Sequence, residues 1–173
     1  MAEIGENMNK LFLDFDGTLV EFKYVGADQY SAPKYIFSLE KHNNVIQAIK
    51  YIIRNEMMEV FLVGAVLPYE HCITDRDEWF DRFLPEVDKA HRIYTPVGAK
   101  KADYINISKG DVFLDDWNGN LNELKHTNVE PVKLVNRVND VHRTWDGARI
   151  WFNQDYTSIA YTLYGLSLAN MAA

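Results

Sequence analysis

A single cysteine, Cys72, leaves this chain with no possible internal disulfide. A reducing compartment, the cytoplasm, is therefore the expected location. Long apolar runs are missing too: none approaches the roughly 18 to 20 residues that cross a bilayer. Residues 1–10 are polar and carry acids, unlike a secretory leader. There is no excess of positive charge. The formal charge is -7 and the pI about 5.2, which argues against a nucleic-acid backbone as the main partner. A small anionic substrate stays open, because a metal and a few local cations decide that. None of the five histidines forms a zinc-ligand pair, and no Gly-rich Walker loop supports ATP hydrolysis of that kind. No internal repeat or low-complexity tract is visible.

What is present is the composition of one globular domain. Hydrophobic residues make up 47% of 173 positions, enough to bury a core. The stretch 11–19 organises the rest. Its apolar run ends in Asp14 and Asp16 and breaks at Gly17. Such a run fits a buried strand, whose period of two sends both aspartates to one side, and Gly17 permits a sharp turn at its end. Two carboxylates that close repel each other unless a cation sits between them, so the pattern asks for a hard metal such as Mg²⁺.

Further along, the segment 20–42 has no clean period and is long for a plain connection, as segments over functional sites often are. Helical spacing of Val45, Ile46, Ile49, Ile52 and Ile53 predicts a helix capped by Asn43 or Asn44. Residues 59–67 form an apolar run typical of a strand covered on both faces. Thr74 or Asp75 is expected to open a helix that Pro85 closes. A strand at 92–97, a short helix at 101–107 and a second strand running into acids at 111–117 follow. Then come a helix at 118–125, strands at 132–138 and 148–152, and a final helix at 155–171. Strands alternating with helices imply an α/β fold with a mostly parallel sheet and helices on both sides. Ligands in such sheets bind beyond the carboxyl ends of the strands, where Asp14, Asp16, Asp115 and Asp116 would fall.

Asp14-Phe15-Asp16-Gly17-Thr18-Leu19 resembles the first motif of the haloacid dehalogenase-like phosphohydrolases. Lys101 and the pair Asp115-Asp116 follow in that family's order. The stretch 79–104, with Leu84-Pro85, Arg92-Ile93, Gly98 and Lys101, is similar to the 5′(3′)-deoxyribonucleotidase subgroup, as is 115–123. The resemblance implies a Rossmannoid three-layer sandwich forming a single domain over 1–173, with a minimal cap insert at 20–42. It also implies Asp14 as the nucleophile that takes a phosphoryl group and Asp16 as general acid and then base. Mg²⁺ would be held by Asp14, the Asp16 carbonyl and Asp116, with Asp115 behind them. Lys101 would neutralise charge on Asp14 and the phosphoryl oxygens; Lys100, its neighbour, stays open for that role.

The chain departs from the family at 64. A Ser or Thr is usual there, whose hydroxyl holds the phosphate, whereas this chain has Gly64 followed by Ala65. Their backbone N–H groups can remain as phosphate donors. One hydrogen bond to a charged group, worth about 1.5–3 kcal/mol, is lost. The expected activity is an Mg²⁺-dependent phosphomonoesterase acting on a small phosphorylated substrate, with a nucleoside monophosphate first and another phosphoester second. A phosphate- or nucleotide-binding module with weak turnover is the alternative that Gly64 raises. Phe22, Tyr24, Tyr30, Tyr35 and Trp117 are candidates for stacking on a base or for packing. His142, near Arg143 and Trp145, is a candidate for reaching phosphate.

Overall fold

The apolar runs become six strands in the computed structural model, which describes residues 8–139 and 144–173. They are β1 (Lys10–Leu13), β2 (Glu59–Val66), β3 (Arg92–Pro96), β4 (Val112–Asp115), β5 (Glu130–Val135) and β6 (Arg149–Trp151). Every pairing is parallel, in the order β3-β2-β1-β4-β5-β6. The helices are α1 (Ala27–Tyr30), α2 (Asn43–Arg54), α3 (Glu70–Phe83), α4 (Asn118–Leu124) and α5 (Tyr156–Ala172). No described helix is long and apolar enough to cross a membrane.

A parallel sheet needs cover on both faces, and the strand alternation divides the core accordingly. Leu11, Leu13 and Phe15 enter the larger core with Ile49 and Ile52 of α2, Trp79 and Phe80 of α3, and Ile159 and Leu163 of α5. Phe12, Val63 and Phe113 point the other way, onto Leu124 of α4 and Val129. Each buried Leu, Ile or Phe stabilises the fold by roughly 1.5–3 kcal/mol before entropy is counted. Asp155 caps α5, its side chain accepting from the N–H groups of Thr157 and Ser158. Asn170 at the far end donates to the carbonyls of Asp111 and Asn128.

Several boundaries differ from the sequence reading. The N-cap of α2 is His42, with no side-chain cap bond, rather than Asn43 or Asn44. The helix expected at 101–107 is a 3-10 turn over Lys101–Tyr104. Helix α3 starts at Glu70, ahead of Thr74 or Asp75. Its first turn, Glu70-His71-Cys72-Ile73, carries no buried residue and so no periodic signal, while Glu70 suits the positive end of a helix dipole. Strand β5 ends at Val135 because the Asn136 side chain accepts from the N–H groups of Val138 and Asn139 and turns the chain.

The segment 20–42 lies against α3. Lys34 Nζ pairs with Asp75 Oδ1 at 3.0 Å, and the His71 ring donates to the Ser31 carbonyl at 2.8 Å. The segment's own Tyr35, Ile36 and Leu39 are buried and join the larger core. Strand order reverses at β1, whose neighbours β2 and β4 lead away in opposite directions. The carboxyl ends of β1 and β4 therefore flank the crevice where this topology places ligands.

Candidate active site

Asp14 follows the last residue of β1, and its N–H bonds the Leu114 carbonyl at 2.9 Å. Asp115 ends β4 and Asp116 comes next. Adjacent strand ends thus bring three acids together: one carboxylate oxygen from each of Asp14, Asp115 and Asp116 lies within 4.8 Å of the others. Buried Lys101, on the 3-10 turn Lys101–Tyr104, joins two of them. Its Nζ is 2.5 Å from Asp14 Oδ1 and 2.9 Å from Asp115 Oδ2. Lys100 next to it is an exposed residue. Thr18 Oγ1 donates to Asp14 Oδ2 at 3.2 Å. Asp115 accepts from the Trp117 N–H and from Asn120 Nδ2, each at 2.8 Å, so both its oxygens are occupied.

The electrostatics of this cluster are unbalanced. Burial pushes the Asp14 carboxyl up to about 7; Lys101 opposes the shift and the charges of Asp115 and Asp16 add to it. Asp116 is pushed well above the usual carboxylate range by burial and by Asp14 and Asp115. Burial acts to lower the Lys101 ammonium, yet the charges of Asp14 and Asp115 outweigh it and hold the group above its ordinary value. One bonded ammonium does not neutralise three carboxylates. A hard divalent cation among oxygen donors would.

Gly17 has φ +83°, and a Cβ there would fall 2.2 Å from Asp116 Oδ2. Only glycine lets the Asp116 carboxylate lie against this turn.

Asp16 is engaged elsewhere. Its Oδ2 accepts from Arg76 Nη2 at 2.7 Å and from the Tyr30 hydroxyl at 2.9 Å. Arg76 Nη2 also donates to the Ala65 carbonyl at 3.0 Å, and the guanidinium sits 4.5 Å from the Phe15 ring centre. Among the described residues, Asp16 Oδ1, Arg76 Nε and Nη1, and the Tyr35 hydroxyl are buried without a partner. Tyr30, Tyr35, His71, Asp75 and Arg76 line a small cavity there.

Gly64 lies inside β2, paired with Tyr94. A Cβ on it would meet Phe15 Cβ and Leu62 Cδ1, both at 3.7 Å, on the face turned from Asp14. Val66 gives its carbonyl to the Val97 N–H on the β3 side. The backbone groups of Ala65 therefore face the β1 side, where Arg76 reaches its carbonyl. A glycine inside a strand costs about 0.5–1 kcal/mol relative to alanine, so Gly64→Ala is expected to raise Tm by about 1–4 °C. Gly64→Ser is expected to leave phosphate release within about threefold of the parent; a tenfold gain would show that the hydroxyl does reach phosphate.

The other candidates divide. Tyr35 is buried, Tyr30 touches Asp16, and Tyr24 is 86% exposed, its ring edge-to-face with Phe22 at 5.1 Å. Trp117 is 64% exposed beside the acids. Trp145 is buried, donating from Nε1 to the Ala148 carbonyl at 3.0 Å. His142 and Arg143 lie outside the described residues. Sequence reasoning missed Arg76 and Asn136. The first sits mid-helix among other charges without a local signal; the second could have been found as the polar residue closing a strand beside β4.

No family model matches this chain, and a search of curated proteins found no match. Among solved structures, it is similar to D,D-heptose 1,7-bisphosphate phosphatase from B. bronchiseptica complexed with magnesium and phosphate. The TM-score is 0.63 at 13% identity, over 92% of this chain and 99% of that one. At that identity the likeness is one of fold: an α/β sandwich whose parallel sheet is covered by helices, the class expected from the alternation of strands and helices.

Proposed function

We propose that this chain is an Mg²⁺-dependent phosphomonoester hydrolase that works through an aspartyl-phosphate on Asp14. The observation that carries the reading is the convergence of Asp14, Asp115 and Asp116 at the carboxyl ends of β1 and β4, with Lys101 bonded to two of them. The phosphatase of like fold, complexed with magnesium and phosphate, supports it.

Asp14 attacks phosphorus through a carboxylate oxygen, and the bond to the ester oxygen breaks. Asp16 gives its proton to the departing alkoxide. Water then attacks phosphorus, Asp16 takes the proton, and the bond to Asp14 breaks to release phosphate. Lys101 holds the Asp14 carboxylate and offsets charge on the phosphoryl oxygens. Asp14 and Asp116 would hold the metal with the Asp16 carbonyl, while Asp115 anchors Lys101. When bound, Mg²⁺ would supply charge neutralisation for the phosphoryl group. Asp16 must leave Arg76 and Tyr30 before it can serve the leaving group.

A nucleoside monophosphate is the preferred substrate class, supported by the exposed Trp117 beside Asp116 and by the Phe22–Tyr24 pair on the 20–42 cap insert. Phosphate release from a panel of mononucleotides and sugar phosphates, with Mg²⁺ or with EDTA, tests the reading. Release from several mononucleotides only with Mg²⁺ is expected; none from any substrate would overturn it. The engagement of Asp16 by Arg76 favours a second reading, a module that binds phosphate without turnover. Tight phosphate binding without release would decide for it.

The acids also predict a pH dependence. Folded Asp14 and Asp116 titrate above their unfolded values, so the folded chain binds more protons and stability falls as pH rises from about 4 toward 7. A divalent cation removes that penalty. With Mg²⁺ at about 100 times its Kd, the gain is about 2.7 kcal/mol, or about 5–11 °C in Tm at this size. The rise should be larger at pH 8 than at pH 5. Thermal scans with and without MgCl₂ check it, and an unchanged Tm would remove the metal from the site.

A further inference from the structure

We infer that Asn136, backed by Asn139, is the positioning residue that sets Asp116 for its cation; this rests on the metal site proposed above. Asn136 follows β5 and is buried. Its Nδ2 carries two protons and uses both. One goes to the Gly17 carbonyl and the other to Asp116 Oδ2, each at 2.9 Å. The amide therefore ties the turn after β1 to the acid after β4. Its Oδ1 accepts from the N–H groups of Val138 and Asn139, at 2.9 and 3.1 Å. Those groups can only donate, so the oxygen must face them and the NH₂ must face the two oxygens.

Asn139 is fixed by the same logic. Its Oδ1 accepts from the Asn136 N–H, and its Nδ2 donates to the carbonyls of Asp116 and Leu134, all three contacts at 2.9 Å. Asp116 is gripped by its backbone through Asn139 and by one carboxylate oxygen through Asn136. The other oxygen, Oδ1, accepts no hydrogen bond among the described residues. A neutral amide suits the task. It orients Asp116 without cancelling the negative charge that draws a cation, as a lysine would. Partners of this kind, bonded to a metal-binding carboxylate, typically change metal affinity 10- to 100-fold, by the general figure of about 10–100.

The test is the midpoint of an isothermal MgCl₂ titration followed by calorimetry at pH 8, with no substrate present and Tm recorded alongside. Asn136→Ala is expected to move the midpoint at least about tenfold higher. Asn136→Ser guards against a folding defect, because its hydroxyl can still accept from the turn N–H groups yet is too short to bridge to Asp116. A purely structural amide would lower Tm equally at every Mg²⁺ concentration and leave the midpoint in place. Such a result, with wild type responding to Mg²⁺, overturns the inference alone. A wild type that does not respond overturns the metal site and the inference together.

Discussion

Asp14→Asn is expected to lower phosphate release at least about 10³-fold while leaving the fold intact. The amide is isosteric with the acid but supplies no anionic oxygen to attack phosphorus. Lys101 keeps its bond to Asp115, so the 3-10 turn that carries it stays in place. The substitution should also separate chemistry from stability. Burial and neighbouring carboxylates make ionised Asp14 unfavourable, with its carboxyl at about 7. Above that pH a neutral residue removes the penalty, so the variant without metal should melt no lower than wild type at pH 8. Rates by phosphate release and Tm by thermal scan give the two readouts. Wild-type turnover in the variant would end the aspartyl-phosphate mechanism.

Arg76→Met is expected to give the largest loss of stability, about 3–5 kcal/mol. The side chains of Arg76 and Asp16 are 4% and 16% exposed, so solvent screens their pair little. Methionine can fill the space over Phe15, but it leaves Asp16 with only the Tyr30 hydroxyl. Removing one partner of a buried pair is costly because the other charge stays behind unpaired. Replacing both is milder, so Asp16→Asn combined with Arg76→Met should recover most of the loss. Urea titrations of wild type, Asp16→Asn, Arg76→Met and the double variant measure the coupling. A loss under about 1 kcal/mol for the single variant would show that the pair behaves as a surface ion pair.

The two cases differ in how far they could be read ahead of the fold. Asp14 was legible because its environment is local: an apolar strand, a second acid two positions on, and a glycine that turns the chain. Asp115 and Asp116 repeat that pattern at the end of β4. Lys101 came from the family resemblance, with Lys100 left open beside it, and its contact with Asp14 is one the turn at its position makes possible. The partner of Asp16 had no such signal. Arg76 lies 60 residues away, on a helix whose first turn buries nothing. Asn136 looked like a strand residue because Val132, Leu134 and Val135 run directly into it, while its hydrogen bond to Gly17 spans 119 residues.

The sequence by itself determined that strands and helices alternate, that the sheet is mostly parallel, and that two pairs of acids stand at strand ends. Each follows from periodicity and from residues a few positions apart. Only the tertiary structure decided which acid is tied to Arg76, which is bonded to Lys101, and which is held by Asn136. Those choices depend on strand order and side-chain direction, which bring distant residues within 3 Å, and no local pattern carries that information. The same holds at 64, where strand parity, rather than the identity of the residue, sets the side a hydroxyl would face.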